Sequence, residues 1–154
     1  MTPVAESRPL SLVDLALGLA LAVHGGWQDK AGQPYILHVL RVMARMPTEQ
    51  SRLVAILHDV VEDSAITTDD LLERGFPPAV VAAVGLLTKA EGTDYLDYIR
   101  EVKSDPLATA VKVADLEDNM DIRRLSSPTE ADVQRILKYR AAWSILQEPA
   151  QDAD

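Results

Sequence analysis

"SRLVAILHDVVEDSA", Ser51 to Ala65, puts one histidine and three carboxylates, His58, Asp59, Glu62 and Asp63, into six residues with no lysine or arginine among them. The pattern predicts a helix from about Glu49 to Asp63. At about 100° per residue, with His58 at zero, Glu62 falls at about 40°, Asp59 at about 100° and Asp63 at about 140°. Val54, Ile56, Leu57, Val60 and Val61 fill the remaining arc, so the four polar groups share one face. Negative charge at a helix C-terminus opposes the macrodipole, and Asp59 and Asp63 form an i,i+4 like-charge pair with no basic partner. Two readings compete. One is an acidic solvated face; the other is a cation held by His58 and Asp59, relieving the repulsion.

Two adjacent residues cannot saturate a metal. His38 lies mid-helix in "YILHVLRV", where a packed core histidine is the competing reading. "KVADLEDNMD" supplies Asp115 and Asn119 at i,i+4 on one face. An interior carboxylate needs a partner, and a pair with Lys112 would serve Asp115 equally well. Together His38, His58, Asp59 and Asp115 offer two imidazoles and two carboxylates to one ion. Glu62 and Asp63 remain beside it to orient water or move protons, as metal-assisted hydrolysis requires.

The rest of the chain reads as helix after helix. "SLVD" at Ser11–Asp14 resembles a capping box for a helix reaching about His24 and stopping at Gly25-Gly26. Pro34 opens a second helix and Pro47 closes it. "TTDDLLERG" is a short capped helix, and "PPAVVAAVGLLT", apolar almost all round, predicts a buried one. Helices in "TDYLDYIREVKS" and "DPLATAVKVADLEDNMDIRRL" follow, and a last one runs from Pro128-Thr129 to about Leu146. No strand-like alternation persists. The expectation is one all-α domain of about eight helices over residues 11–146, with a flexible leader at 1–10 and a disordered tail at 147–154.

Composition narrows the function. With 154 residues and 47% apolar content the chain can bury one core. It has no cysteine, so thiol chemistry is excluded and any metal must be held by His, Asp or Glu. A net charge of -9 argues against a nucleic-acid partner. A bound cation can still draw a small polyanion into an acidic protein. The longest apolar run, Leu15–Val23, is too short for the roughly 20 residues of a membrane span. With no signal-peptide pattern either, a cytoplasmic location is expected. Nothing sets the oligomeric state.

Four motifs in order carry a family resemblance: "HGGWQDKAGQPYILH" from His24, "LHDVVEDS" from Leu57, "LLTK" at Leu86–Lys89 and "VKVADLEDNM" from Val111. The chain resembles the HD superfamily of metal-dependent phosphohydrolases, and within it the RelA/SpoT-type hydrolase domain and its free-standing small versions. The resemblance runs from about Ser11 to Leu146. It implies that His38, His58, Asp59 and Asp115 bind the ion, usually Mn²⁺, with Fe²⁺ or Mg²⁺ suited to similar ligands. It implies that Glu62 and Asp63 handle the attacking water. Lys30 would sit beside the base or phosphates, and Asn119 would touch the nucleoside. The implied reaction removes pyrophosphate from the 3′ position of guanosine tetraphosphate or pentaphosphate. No length remains after Leu146 for a synthetase domain, so the expectation is an enzyme that only degrades.

Two departures bear on the substrate. The family usually has Arg before the position of Lys30, packed on the guanine; this chain has Asp29. The usual Arg-Leu-His between the Asp and the Asn is here Leu116-Glu117-Asp118. Two alternatives therefore stand beside the alarmone hydrolase. One is an HD phosphohydrolase for a different nucleotide or a phosphorylated dinucleotide cofactor; the other is a non-catalytic module that senses a nucleotide. His24 is expected to brace the loop after the first helix. Trp27, Tyr95, Tyr98 and Trp143 are expected to pack, and Arg41, Arg123 and Arg124 to lie at the surface or in salt bridges.

Overall fold

Leu53, Val54, Ala55, Ile56 and Leu57 are all buried, so the C-terminal half of the helix they form is enclosed on every side. In the computed structural model, which describes residues 8–149, this helix is the axis of the molecule. Most of the leader and tail segments, residues 1–7 and 150–154, lie outside the described residues. In chain order the helices are α1 (Leu12–His24), α2 (Tyr35–Ala44), α3 (Glu49–Leu57), α4 (Thr68–Glu73), α5 (Pro78–Leu87), α6 (Tyr95–Val102), α7 (Pro106–Asn119) and α8 (Glu130–Gln147). A 3₁₀ turn spans Ile122–Arg124. Among the described residues the sole β pairing is an isolated bridge between Gln28 and Pro34, so the all-α expectation holds. No helix among them is long and apolar enough to cross a membrane.

α3 packs against α1, α2, α5 and α7, while α8 lies on α6 and α7. Small buried residues let the backbones come close: Ala16 and Ala20 in α1, Ala83 in α5, Ala108 and Ala114 in α7. The expected burial of α5 is seen at Val80, Val81, Val84 and Leu87. Each such side chain stabilises the fold by roughly 1.5–3 kcal/mol through area removed from water. The helix starts are capped as the sequence signals. The Ser11 hydroxyl accepts the Asp14 N–H at 3.1 Å, and Asp14 accepts the Ser11 N–H at 2.8 Å. Thr48, Thr67 and Thr129 cap α3, α4 and α8 in the same reciprocal way.

One boundary differs from the expectation. The helix predicted to reach Asp63 ends at Leu57, and residues 58–64 coil in tight turns. The cause lies in its own side chains. His58 Nδ1 sits 2.6 Å from the Ala55 carbonyl, the acceptor that the Asp59 N–H would use in a continuing helix. The Ser64 hydroxyl takes the Val60 carbonyl at 2.5 Å. Side chains that compete for backbone acceptors end helices, and here they turn the acid-rich segment out of the axis.

Candidate active site and metal centre

Ala55 offers His58 Nδ1 only a carbonyl acceptor, so that nitrogen carries the proton. Nδ1 of His38, on α2, lies 2.6 Å from Asp118 Oδ2 and is protonated for the same reason. In the neutral form of each ring the lone pair is therefore on Nε2. Both Nε2 atoms are buried and neither has a hydrogen-bond partner. Yet His38 Nε2 lies 3.0 Å and His58 Nε2 3.5 Å from the same atom, Asp115 Oδ1 on α7. With neutral rings these are close approaches of acceptors to an acceptor, which either a proton on each Nε2 or a shared cation relieves. One donor atom from each of His38, His58 and Asp115 lies within 4.8 Å of the other two.

Ligands around an ion at about 2.1 Å in octahedral geometry stand about 3 Å apart, so the three residues fit a divalent cation. Asp59 extends the set: its Oδ2 is 3.0 Å from His58 Nε2 and accepts the Tyr35 hydroxyl. Of the four expected ligands, the structure thus gathers three in one cluster and places the fourth against His58.

The electrostatics agree. Burial opposes the charge on Asp115, but Lys112 and the two imidazoles outweigh it and hold the carboxyl well below the usual range. For Asp59, burial is again outweighed, chiefly by His58, and the pKa falls to about 2. Burial pushes His58 down, but Asp59 and Asp115 together raise it well above the usual histidine value. Positive charge is favoured at this point, and a divalent cation would take the place of the imidazole protons. The competing pair of Asp115 with Lys112 is also present, at 2.9 Å, on the other carboxylate oxygen. Asn119 donates to Oδ1 at 2.9 Å.

Asp59 and Asp115 form part of the floor of a cavity of about 590 Å³. Five cations, Lys30, Lys89, Lys112, Arg135 and Lys138, line it with the acids Asp29, Asp59, Glu62 and Asp115. Local charge at the opening is therefore far from the -9 of the chain as a whole. The expected pair Glu62 and Asp63 divides. Glu62 lines the cavity and accepts the Lys89 N–H at 2.9 Å, and burial, with Asp59 and Asp63 nearby, raises its pKa. Asp63 turns the other way, 2.9 Å from His24 Nε2. The brace expected of His24 is therefore a brace on an acid of the site. Lys30 and Asn119 both line the cavity.

Part of the cavity lining comes from residues to which the sequence assigns no role in the site. Arg135, Lys138 and Tyr139 of α8 face the cavity, as does Tyr95 of α6, expected only to pack. Lys138 Nζ stands 4.1 Å over the Tyr95 ring. Spacing at i, i+3 and i+4 was the available signal, since it puts Arg135, Lys138 and Tyr139 on one helix face. Trp27, also expected to pack, is 45% exposed and lines the cavity.

A solved structure described as a metazoan orthologue of SpoT that hydrolyses ppGpp matches this fold with a TM-score of 0.70 and 23% identity, over 92% of this chain and 89% of the other. A probable GTP pyrophosphokinase of Mycobacterium leprae is 33% identical over 132 residues, 77% of this chain and 17% of its own length. The guanosine-3′,5′-bis(diphosphate) 3′-pyrophosphohydrolase of Aquifex aeolicus is 28% identical over 88% of this chain and 22% of its own length. The chain is thus similar to one segment of these guanosine-polyphosphate enzymes and shares the all-α fold of the SpoT orthologue. It spans about a fifth of the length of these curated relatives. No family model matches the chain.

Proposed function

We propose that the chain is a metal-dependent phosphohydrolase that removes pyrophosphate from the 3′ position of guanosine tetraphosphate or pentaphosphate. What carries the reading is the convergence of two imidazole nitrogens on Asp115, beside a cavity lined by Glu62 and five cations. His38, His58, Asp59 and Asp115 would hold the ion. Two imidazoles and two carboxylates suit Mn²⁺, and its relatives' named activity on a 3′-pyrophosphate agrees. When bound, the ion supplies Lewis-acid polarisation of a phosphoryl oxygen and lowers the pKa of water.

The protein's own groups do the rest. Glu62 accepts a proton from the attacking water, and its raised pKa lets it hold that proton until product leaves. Asp63, held by His24 outside the cavity, would act through Glu62, whose pKa it helps to raise. Lys30, Lys89, Arg135 and Lys138 neutralise the phosphates, with Lys30 and Asn119 on the nucleoside side.

A release assay over a panel of nucleotides, with Mn²⁺ added to chelator-treated protein, tests this. Pyrophosphate from guanosine tetraphosphate is the expected product. No turnover of any nucleotide by folded, Mn²⁺-loaded protein would sink the proposal. One observation favours a second substrate class. Asp29 is held by Arg124, so the loop presents no cation for a guanine there. Release of orthophosphate from other nucleotides, or from a phosphorylated dinucleotide cofactor, would select that reading.

A further inference from the structure

The two positions at which the sequence departs from its family, Asp29 and Asp118, are joined in space by one side chain. Arg124 pairs with Asp29 Oδ2 through one guanidinium nitrogen. Through the other it donates to Asp118 Oδ2 at 3.1 Å and to the Asp118 carbonyl at 3.0 Å. Asp118 in turn receives Arg41 on both oxygens, at 2.7 and 3.0 Å, and faces His38 Nδ1 at 2.6 Å. At the far end Asp29 Oδ1 accepts the N–H groups of Ala31 and Gln33 at 2.9 and 3.0 Å, which sets the loop carrying Lys30. A continuous chain of charged hydrogen bonds therefore runs from the substrate loop to the back of the imidazole whose Nε2 faces Asp115.

We propose that Asp118 is a positioning residue that fixes the tautomer and tilt of His38 for the metal, and that Arg124 ties this function to the substrate loop through Asp29. The proposal rests on the metal-centre reading above. A carboxylate behind a ligating imidazole holds its proton on the far nitrogen and makes the near nitrogen a better ligand. Asp118 meets that description in distance, in burial and in having two guanidiniums to keep it charged and still. If it merely anchored the arginines, it would not need to spend its shortest contact on the imidazole. Because the Asp29 carboxylate is shared between the loop backbone and Arg124, a change at Asp29 reaches His38 without touching the ion.

Mn²⁺ titration of the metal-free full chain, read by calorimetry, tests both parts without any turnover. Asp118→Asn keeps volume and an acceptor but loses the charge. It should weaken Mn²⁺ binding by about tenfold or more, within the range typical of such outer partners, and Asp118→Ala by more. Asp29→Asn should weaken it by about two- to fivefold, and should add nothing in an Arg124→Ala background, as residues acting through one link are non-additive. Folded Asp118 variants that bind Mn²⁺ as wild type does would overturn the positioning role. Additive losses at Asp29 and Arg124 would overturn the tie. A measurement that needs no variant is the imidazole ¹⁵N spectrum of the Zn²⁺-loaded protein, where His38 should be the Nδ1–H tautomer; an Nε2–H signal overturns the proposal. Wild-type protein that binds no divalent ion at all would instead refute the metal-centre reading on which the proposal stands.

Discussion

His24 Nε2 lies 2.9 Å from Asp63 Oδ2, joining the last residue of α1 to the acid-rich turn beyond α3. The ring is buried, and the edge of Trp27 meets it at 5.1 Å between centroids. Asp63 thus owes its direction to a residue outside the cavity. His24→Gln should lower kcat about tenfold, a loss of about 1.4 kcal/mol in transition-state stabilisation, and leave KM unchanged. Removing a partner from a buried polar contact should also cost about 1–3 kcal/mol in stability. Steady-state kinetics and urea unfolding check the pair of effects, and a variant that raises KM instead would contradict this placement.

Glu62 sets the expected pH profile. Burial first, then the neighbouring Asp59 and Asp63, raise its pKa above the ordinary glutamate value of about 4.3. A general base works ionised, so kcat/KM should be full above the raised pKa and fall as pH drops through it. The acid limb should therefore lie higher than an exposed glutamate would give. Glu62→Gln should remove that limb and cost about 10²- to 10⁴-fold in kcat. Its Mn²⁺ affinity should stay within about twofold of wild type, because outer-partner losses of about tenfold belong to residues behind a ligand. Retained activity with an unshifted limb would assign the base elsewhere.

The α8 wall should act on binding. Arg135 and Lys138 line the same cavity as Asp59 and Asp115, and each can make a charged hydrogen bond to phosphate. Such bonds are worth about 1.5–3 kcal/mol, so Arg135→Ala and Lys138→Ala should each raise KM by about tenfold or more with little change in kcat. Salt screens exposed charges, so both variants should also show a flatter dependence of kcat/KM on ionic strength. An unchanged KM in both would remove α8 from the substrate path.

How much of this was legible in the sequence depends on the distance over which each signal acts. The helices were readable because caps and apolar periodicity are local; Ser11 with Asp14 and Thr129 with Asp132 sit three residues apart. His58, Asp59, Glu62 and Asp63 were readable as a set because uncompensated charge beside an apolar face needs an explanation. Their geometry was not. A helical wheel assumes an intact helix, and His58 itself breaks that helix by taking the Ala55 carbonyl. The pocket wall of α8 carries ordinary helix-surface residues whose meaning comes only from what they face. The pairing of Asp29 with Arg124 spans 95 residues of chain and has no local trace at all.

That pairing decides what restoring the family's arginine would do. Asp29→Arg removes the acceptor of the Ala31 and Gln33 N–H groups and sets one guanidinium against another in a space where the Arg124 side chain is only 22% exposed. Losing one partner of this part-buried ion pair together with both loop hydrogen bonds should make the variant melt below wild type. Arg124→Ala in the same chain removes the repulsion but not the lost loop caps. The double variant should therefore recover part of the stability, with a coupling of about 0.5–3 kcal/mol between the two sites. Turnover should fall with every nucleotide in the single variant, because Arg124 also holds Asp118 behind His38. Thermal melts and the nucleotide panel, run on both variants, check this. An Asp29→Arg protein that melts as wild type does and gains turnover of guanosine tetraphosphate would show that position 29 is free to contact a base and that Arg124 is dispensable to the loop.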